Sequence, residues 1–226
     1  MTQTLHGILN VDKPAGLSSA RVVDRVKRLL PRGTKIGHAG TLDPFATGVL
    51  LLLVGKATKR CESLMGQPKR YEATMRLGAT TETDDPESPE QATPDAAPVD
   101  LATINALLPR FTGAIQQRPP AYSALKIKGR RACDRVRDGE TIVPEARTVN
   151  VYGIEMVDYT WPNLRLRIDC GRGTYIRALA RDIGEAVGVG GYLTQLRRTR
   201  IGEYDISDGV TLESLTSETL ARHVRN

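Results

Sequence analysis

One segment constrains this chain more than any other: a glycine-rich loop that leads directly into a fully apolar run. The loop covers residues 37–48 and contains three glycines, one histidine and one carboxylate, Asp43. Six apolar residues, Val49 to Val54, follow it. A short apolar run bounded by Gly predicts a buried strand, and Asp-Pro among glycines predicts a loop. Because a carboxylate on a loop entering the core contributes little to folding, Asp43 is a candidate for chemistry.

Hydrophobic periodicity predicts both helices and strands along the rest of the chain. We expect a helix that Ser18 or Ser19 caps and Pro31 ends, and another that Thr174 caps and Gly188 ends. A short helix is predicted from Asp100 to Leu108, and strands are predicted at Gly7–Val11, Tyr71–Leu77, Val149–Val157 with a bulge at Gly153, and Leu164–Cys170. Residues 79–99 are polar and predict a mobile surface loop. The mixture predicts an α+β or mixed α/β fold built on a large mixed sheet.

The charge of the chain favours a polyanionic partner without proving one. Lysine and arginine total 32 against 26 acidic residues, which gives a net charge of +6. The positive charge is densest in residues 112–147, where the cations are Lys126, Lys128, Arg130, Arg131, Arg135 and Arg137. This basic insertion is read either as an arm over RNA phosphates or as an exposed loop. Three arginines on the first helix, Arg21, Arg25 and Arg28, are better explained as a solvated face than as phosphate contacts.

Several function classes find no support in the sequence. The three cysteines are far apart and odd in number, which argues against disulfides, and the three histidines have no metal-ligand spacing. No segment approaches the length of a membrane span, so we expect a soluble, cytoplasmic protein. A phosphate loop, a dinucleotide fingerprint and a serine elbow are all missing. The sequence therefore predicts no cofactor and no metal.

The residues alone support two interpretations of Asp43. Pro44 biases the backbone of Asp43 towards an extended conformation, which fixes the direction of its carboxylate. Arg177, in the first turn of a predicted helix, would keep that carboxylate ionised if the two paired. An ionised, oriented carboxylate can act as a nucleophile or base. A buried Asp43–Arg177 pair that only fixes a loop explains the same pattern equally well.

The ordered motifs of the chain resemble those of the pseudouridine synthases, and most closely the bacterial tRNA pseudouridine synthase B family. The matching segments are Asp12–Ser19, Gly37–Gly48, Lys69–Ala73 with Leu77–Gly78 and Thr83–Asp84, Pro119–Lys126, Cys170–Arg177 and Leu196–Thr199. The resemblance implies a pseudouridine synthase fold, with a large, mostly antiparallel mixed sheet flanked by helices and a basic insertion over the cleft. It also implies isomerisation of uridine 55 in the T-loop of tRNA without a cofactor, by a protein we expect to be a monomer.

The resemblance also implies roles for individual residues. Asp43 matches the nucleophile, and Arg177 matches the arginine that pairs with it. Tyr71 matches the ring that packs on the target base and can help to move the C5 proton, which makes it a catalytic residue beside Asp43 and Arg177. His38 matches the histidine that enters the T-loop and replaces displaced bases. Uracil-pocket residues are matched by Tyr175 and Leu196, phosphate contacts are expected from Lys126, Lys128, Arg130 and Arg131, and Lys13 and Pro14 match a motif whose role is structural.

Alternatives to these roles remain open. His38 could be a locally bonded loop residue, Tyr71 a core strand residue, and Tyr175 and Leu196 packing residues. The protein could be a non-catalytic RNA-binding or RNA-folding module, or could perform the same chemistry on another RNA. Phe45 stands where the family commonly has leucine, and Cys133 stands where tyrosine or leucine is usual. We expect one catalytic domain over residues 1–226, with the family's small C-terminal RNA-binding domain absent and the acceptor stem of tRNA bound less tightly.

Overall fold

The computed structural model describes residues 5–127 and 129–225 and divides them into two compact units. The first unit runs to Tyr71 and resumes at Leu196, so it combines both ends of the chain. The second unit comprises Glu72–Gln195. Lys128, one of the predicted phosphate contacts, lies outside the described residues.

Strands and short helices are interspersed along the described chain. The elements up to residue 111 are β1 (Gly7–Lys13), α1 (Ser19–Lys27), β2 (Ile36–His38), β3 (Thr47–Val54), a 3₁₀ helix (Gly55–Arg60), α2 (Cys61–Gly66), β4 (Lys69–Leu77), β5 (Ala79–Thr80), β6 (Gln91–Ala92), α3 (Leu101–Leu107) and a 3₁₀ helix (Leu108–Phe111). The elements that follow are β7 (Gly113–Gln117), β8 (Lys126–Ile127), β9 (Arg130–Arg131), α4 (Ala132–Arg137), β10 (Arg147–Thr160), β11 (Asn163–Cys170), α5 (Ile176–Ala186), β12 (Gly191–Ile201), β13 (Tyr204–Asp205), a 3₁₀ helix (Ile206–Asp208), β14 (Val210–Thr211) and α6 (Leu220–His223).

The apolar run Val49–Val54 lies in the buried strand β3, as predicted. Its side chains alternate between two hydrophobic clusters. Leu50, Leu52 and Val54 pack with Val22 and Val26 of α1. The alternate residues of β3 pack on the other face with the 3₁₀ helix and α2 that follow the strand. A strand covered on both faces needs apolar residues at every position, which explains the uninterrupted run.

Each unit contributes a set of neighbouring strands. In the first unit the order is β14-β1-β3-β12, with β1 antiparallel and β12 parallel to β3. In the second unit the order is β4-β11-β10-β7, in which β10 is antiparallel to both β11 and β7. Strands β4 and β12 carry the chain from one unit to the other. The predicted fold class, mixed α and β with a large, mostly antiparallel sheet and helices, is confirmed.

Local signals located most elements within a few residues. Ser18 caps α1 by accepting a hydrogen bond from the Arg21 amide, as one of the two predicted caps. The helix ends at Lys27, before Pro31, because the next residues form a tighter turn. The strand register shifts between Val151 and Gly153, which confirms the bulge. The predicted Thr174 cap of α5 is wrong, because the N-cap residue is Tyr175 and the Thr174 hydroxyl donates instead to the Gly171 carbonyl.

The polar stretch from 79 to 99 differs most from its prediction. It was expected to be a mobile surface loop, but Thr81, Thr83 and Asp85 are buried. Their side chains form a local network in which the Thr83 hydroxyl donates to the Asp85 carboxylate at 2.5 Å. Composition did not reveal this, because a buried polar cluster and a solvated loop use the same residue types.

Candidate active site

Asp43 lies half-buried on the connection between β2 and β3, in the first unit. Its own carbonyl accepts a hydrogen bond from the Ala46 amide at 3.1 Å, which closes a turn over Pro44 and Phe45. We call residues 39–46 the Asp43 loop. The predicted position of the carboxylate, on a loop leading into the buried strand, is therefore correct.

A serine of α1 fixes the backbone immediately before Asp43. The Ser19 hydroxyl accepts from the Leu42 amide at 2.9 Å and donates to the Leu42 carbonyl at 3.0 Å. Both groups are buried, so the two hydrogen bonds hold one residue in a single orientation. The first motif of the resemblance thus contacts the Asp43 loop directly.

A buried lysine fixes the backbone immediately after Asp43. The Lys13 ammonium is completely buried, and it donates to the carbonyls of Pro14, Leu17 and Pro44 at 2.6–3.1 Å. The Pro44 carbonyl also accepts from the Gly16 amide at 2.8 Å. These contacts give Lys13 and Pro14 a structural function: they join the turn after β1 to the residue that follows Asp43.

Arg198 holds the other side of the Asp43 loop. It is 1% exposed, and its guanidinium donates to the carbonyls of Val49, Gly40 and Thr41 at 2.8, 3.1 and 3.4 Å. Within residues 5–127 and 129–225, no carboxylate lies at ion-pair distance from this guanidinium. Arg198 therefore places a buried positive charge beside the loop that carries Asp43.

A glycine is required at position 48, near the start of β3, because β12 passes very close to the backbone there. Its φ is +101°, and a Cβ at this position would lie 2.2 Å from the backbone oxygen of Arg198. Gly48 is also the register partner of Arg198 in the parallel pairing of β3 with β12. Only a residue without a side chain allows β12 to approach so closely.

His38 ends β2 at the start of the Asp43 loop. Burial and, secondarily, the charge of Arg198 lower the pKa of His38 below its ordinary value, so the imidazole is neutral at pH 7. Its Nδ1 atom is buried and makes no hydrogen bond within the described part of the chain.

Tyr71 and Leu196 also belong to the first unit, and both are 7% exposed. The Tyr71 hydroxyl lies 3.5 Å from a guanidinium nitrogen of Arg198, so one arginine contacts both the Asp43 loop and this ring. Leu196 lies on β12, two residues before Arg198. The structure thus brings Asp43, His38, Tyr71 and Leu196 into one unit.

Arg177 belongs to the second unit, where it is 4% exposed on the first turn of α5. Its guanidinium forms a buried ion pair with Asp85 at 2.9 Å. It also donates to the carbonyls of Thr83 and Tyr122, each at 2.9 Å. The predicted pairing of Arg177 with Asp43 stays a prediction, since the two residues lie in different units.

Asp85, the ion-pair partner of Arg177, was not among the residues predicted from the sequence. Its carboxylate accepts from the Thr83 hydroxyl, from the Glu87 amide at 2.9 Å and from Arg177. With these partners a carboxylate that is 1% exposed is fully hydrogen-bonded. The only available signal was its place just after the third motif, in a stretch that composition assigned to the surface.

Tyr175, two residues before Arg177, is held through its backbone. The side-chain amide of Gln117 accepts from the Tyr175 amide at 2.8 Å and donates to the Tyr175 carbonyl at 3.1 Å. Arg147 lies over the Tyr175 ring, 5.4 Å from its centre. The ring itself is half-buried, so one part remains accessible to a partner.

Asp84 forms a second acidic contact with α5. Its carboxylate pairs with Arg181 at 3.0 Å, and its backbone has a φ of +57°. Burial raises the pKa of Asp84 to about 6, against the lowering effects of Arg181 and Arg177. Asp84 and Asp85 therefore sit side by side in sequence but contact different arginines of α5.

Three arginines of the basic insertion are paired with carboxylates. Arg131 contacts Asp134 at 2.7 Å, and Arg130 contacts Asp138 and lies 3.7 Å from Glu140. Arg135 also contacts Glu140. Lys126 is exposed on β8, opposite Arg131. Two of the four predicted phosphate contacts are thus already engaged within the insertion.

The described residues contain neither a metal-binding cluster nor a helix that could cross a membrane. No group of three or more His, Cys, Asp or Glu side chains there could hold a metal ion. Likewise, none of the helices in that part of the chain combines the length and apolar character needed to cross a membrane.

Comparison with known sequences assigns the family. Residues 27–176 match the model of the TruB family pseudouridylate synthase N-terminal domain, and residues 177–225 match that of the tRNA pseudouridylate synthase B C-terminal domain. A tRNA pseudouridine synthase B of Corynebacterium glutamicum is 46% identical over 92% of this chain and 71% of the relative. One from Burkholderia mallei is 46% identical over 96% of this chain and 71% of the relative.

A solved structure supports the same assignment. A chain in an H/ACA RNP bound to a substrate RNA containing 2′-deoxyuridine superposes with a TM-score of 0.69 and 31% identity. The match covers 92% of this chain but 52% of that one. The chain belongs to the TruB family of pseudouridylate synthases, so its fold and its enzyme class, an isomerase, agree with the expectations from its motifs.

Proposed function

We propose that this chain converts uridine to pseudouridine in the T-loop of tRNA, at position 55, with Asp43 as its catalytic carboxylate. Its 46%-identical relatives are named tRNA pseudouridine synthase B, which supports tRNA as the substrate. One observation carries the role of Asp43: the backbone is fixed on both sides of this residue while its side chain remains half-exposed. Ser19 holds Leu42, and Lys13 holds Pro44.

The fixed backbone has a direct chemical consequence. A reacting group held in position makes the encounter with a bound nucleoside effectively unimolecular, which lowers the entropic part of the barrier. The buried charge of Arg198 beside the loop favours the ionised form of a nearby carboxylate. The Asp43 loop is therefore organised before substrate binds.

Isomerisation requires the target base to leave the folded T-loop. Flipping a base out of a stack costs a few kcal/mol. Stacking on the Tyr71 ring would return roughly 1–3 kcal/mol, and His38, neutral at pH 7, would occupy the vacated space. Tyr175 and Leu196 would line the uracil pocket.

The reaction then exchanges one bond to the sugar for another. The bond from N1 of uracil to C1′ breaks, the base rotates, and C5 forms a new bond to C1′. C5 loses its proton and N1 takes up a proton, so the product is an isomer of the substrate. Attack of Asp43 at C1′, its attack at C6 and removal of a sugar proton all begin from the same oriented carboxylate. Arg177 would hold Asp43 ionised, and we take the working form to be a cytoplasmic monomer.

Substitution of Asp43 tests the proposal. The Asp43→Asn variant should lose at least about 10³-fold in the rate of pseudouridine formation on a T-stem-loop hairpin, by analogy with other nucleophile deletions. Its affinity for the hairpin should remain close to that of the wild type. Asp158→Asn is the matched control, because Asp158 is exposed on β10 of the second unit.

The outcomes separate the competing functions. An Asp43→Asn rate above a tenth of the wild-type rate would refute the catalytic role of Asp43. A wild-type protein that binds the hairpin but forms no pseudouridine would indicate an RNA-binding module. Equal rates on an unrelated uridine-containing hairpin would refute specificity for the T-loop.

A further inference from the structure

The strongest unassigned feature is a run of exposed cations between residues 21 and 35 of the first unit. We call it the α1 basic face, and its members are Arg21, Arg25, Lys27, Arg28, Arg32 and Lys35. Asp24 is the one carboxylate in the same stretch. In the part of the chain that the structure describes, none of the six cations forms an ion pair with a side chain.

The α1 helix presents three of these cations on one side. Arg21, Arg25 and Arg28 are spaced by four and three residues, which places them in a single row along the helix and its C-cap. Val22 and Val26 are completely buried beneath them in the cluster that includes β3. The packing of these valines fixes the direction in which the row of arginines faces.

The α1 basic face is continuous in sequence with the candidate active site. It ends at Lys35, and β2, which begins at Ile36, carries His38. Helix α1 packs against β2 and supplies Ser19, which fixes Leu42 beside Asp43. The α1 basic face and the Asp43 loop therefore belong to the same unit and are joined through β2 and Ser19.

The basic insertion differs from the α1 basic face because three of its arginines are already paired with carboxylates. Arg130, Arg131 and Arg135 each contact a carboxylate of the insertion. A phosphate would have to replace those carboxylates, whereas an unpaired exposed arginine only releases solvent and counterions when it binds. The α1 basic face is thus the better prepared of the two surfaces for phosphate.

We propose that the α1 basic face binds the phosphate backbone of the substrate RNA, with Arg21 and Arg25 among its phosphate contacts. The proposal rests on the proposed function in taking RNA as the substrate, and it names the surface that holds the stem while the loop nucleotide enters the site. Phosphate recognition of this kind contributes affinity without reading sequence.

The salt dependence of binding tests the proposal. The double variant Arg21→Gln/Arg25→Gln is compared with Arg110→Gln/Arg165→Gln, which removes the same charge at exposed positions of the second unit. Affinity for a labelled T-stem-loop hairpin is measured by fluorescence anisotropy from 50 to 200 mM salt. Two lost contacts should make the slope of log K against log salt shallower by about 1.4–1.8.

The same loss can be read as an affinity ratio. The ratio of the wild-type affinity to the affinity of Arg21→Gln/Arg25→Gln should decrease roughly tenfold when the salt concentration rises from about 50 to about 200 mM. The charge-preserving variant Arg21→Lys/Arg25→Lys should restore most of the slope, since lysine binds phosphate as a point charge. The control double variant should keep the wild-type slope.

Two results would overturn the proposal: a wild-type slope in Arg21→Gln/Arg25→Gln, or an equal change of slope in the control. If the double variant fails to fold, Arg28→Gln alone must make the slope shallower by about 0.7–0.9. Failure of the proposed function is recognised separately, as a wild type that binds with this slope difference but forms no pseudouridine.

Discussion

Two buried arginines, one in each unit, hold the residues around them in different ways. Arg198 of the first unit is 1% exposed and donates to three backbone carbonyls around the Asp43 loop. Arg177 of the second unit is 4% exposed and donates to two carbonyls and to the carboxylate of Asp85. The geometry is similar, but Arg177 has a counter-charge within its unit and Arg198 has none among the described residues.

The difference separates two functions that a buried arginine can have. A guanidinium that is paired with a buried carboxylate is held in one direction by that ion pair, so Arg177 with Asp85 forms a rigid, directional support. A guanidinium bound only by carbonyls and a hydroxyl keeps most of its charge, so Arg198 influences every titratable group nearby. The lowered pKa of His38 is one result of this influence.

The largest expected effect follows removal of Arg177. In Arg177→Met the buried Asp85 carboxylate loses its guanidinium, which should lower the free energy of unfolding by about 3–5 kcal/mol. Urea unfolding followed by circular dichroism measures the change. The double variant Arg177→Met/Asp85→Leu should recover part of the lost stability. A loss below about 1 kcal/mol in Arg177→Met would contradict the view that Arg177, unlike Arg198, acts mainly through its ion pair.

Removal of Arg198 should destabilise the protein less. Arg198→Met leaves carbonyls without donors, but it also removes a buried charge, so we expect a loss of about 1–3 kcal/mol. It should also raise the pKa of His38 towards its ordinary value, because the guanidinium lowers that pKa. An NMR titration of the imidazole measures this shift, and an unchanged His38 titration would contradict the electrostatic role of Arg198.

A pH-dependent effect is expected from Asp84. Because its pKa rises from 3.8 to about 6 on folding, the folded state binds the proton more tightly. Stability contributed by the neutral form is therefore lost as the pH rises from about 4 to about 6, by at most about 3 kcal/mol. Asp84→Asn, which tolerates the positive φ, should remove this slope.

Unfolding of the wild type and of Asp84→Asn at pH 4 and pH 7 measures the difference. Asp158→Asn is the control, because Asp158 is exposed and should leave the pH profile unchanged. A wild-type profile that persists in Asp84→Asn would show that burial of this carboxylate does not govern the pH dependence.

The smallest effect is expected at an exposed arginine. Arg131→Gln removes the contact with Asp134 in the insertion, where the Arg131 side chain is 58% exposed and that of Asp134 is 36% exposed. Exposed ion pairs contribute little, so the melting temperature should be unchanged. A clear decrease in the melting temperature would show that the exposure of an arginine does not predict its contribution to stability in this protein.

The parts of the fold that the sequence predicted are those with local causes. The apolar run that became β3, the cap at Ser18 and the bulge at Gly153 depend on neighbouring residues only. The Asp43 loop was recognisable for the same reason, as glycines and an Asp-Pro pair stand next to that run.

The long-range contacts of Arg198 and Asp85 could not be predicted from neighbouring residues. Arg198 reaches the carbonyls of Gly40 and Val49 from 158 and 149 residues away in sequence. Its sequence neighbourhood, a basic run, indicated surface charge. Asp85 likewise belonged to an acidic stretch, and its burial depends on α5, which follows about 90 residues later in the chain. Such contacts are defined by tertiary packing, which periodicity does not reveal.

The pairing of β12 with β3 has a consequence for synthesis on the ribosome. Strand β3 receives its early neighbour β1 at once, but the contact between Gly48 and Arg198 requires a segment made about 150 residues later. Until that segment leaves the exit tunnel, the nascent chain cannot complete its first unit. The Asp43 loop should therefore gain its contacts with Arg198 only after residue 198 has left the tunnel, and a ribosome stalled before residue 196 should carry a chain in which this loop is not yet fixed.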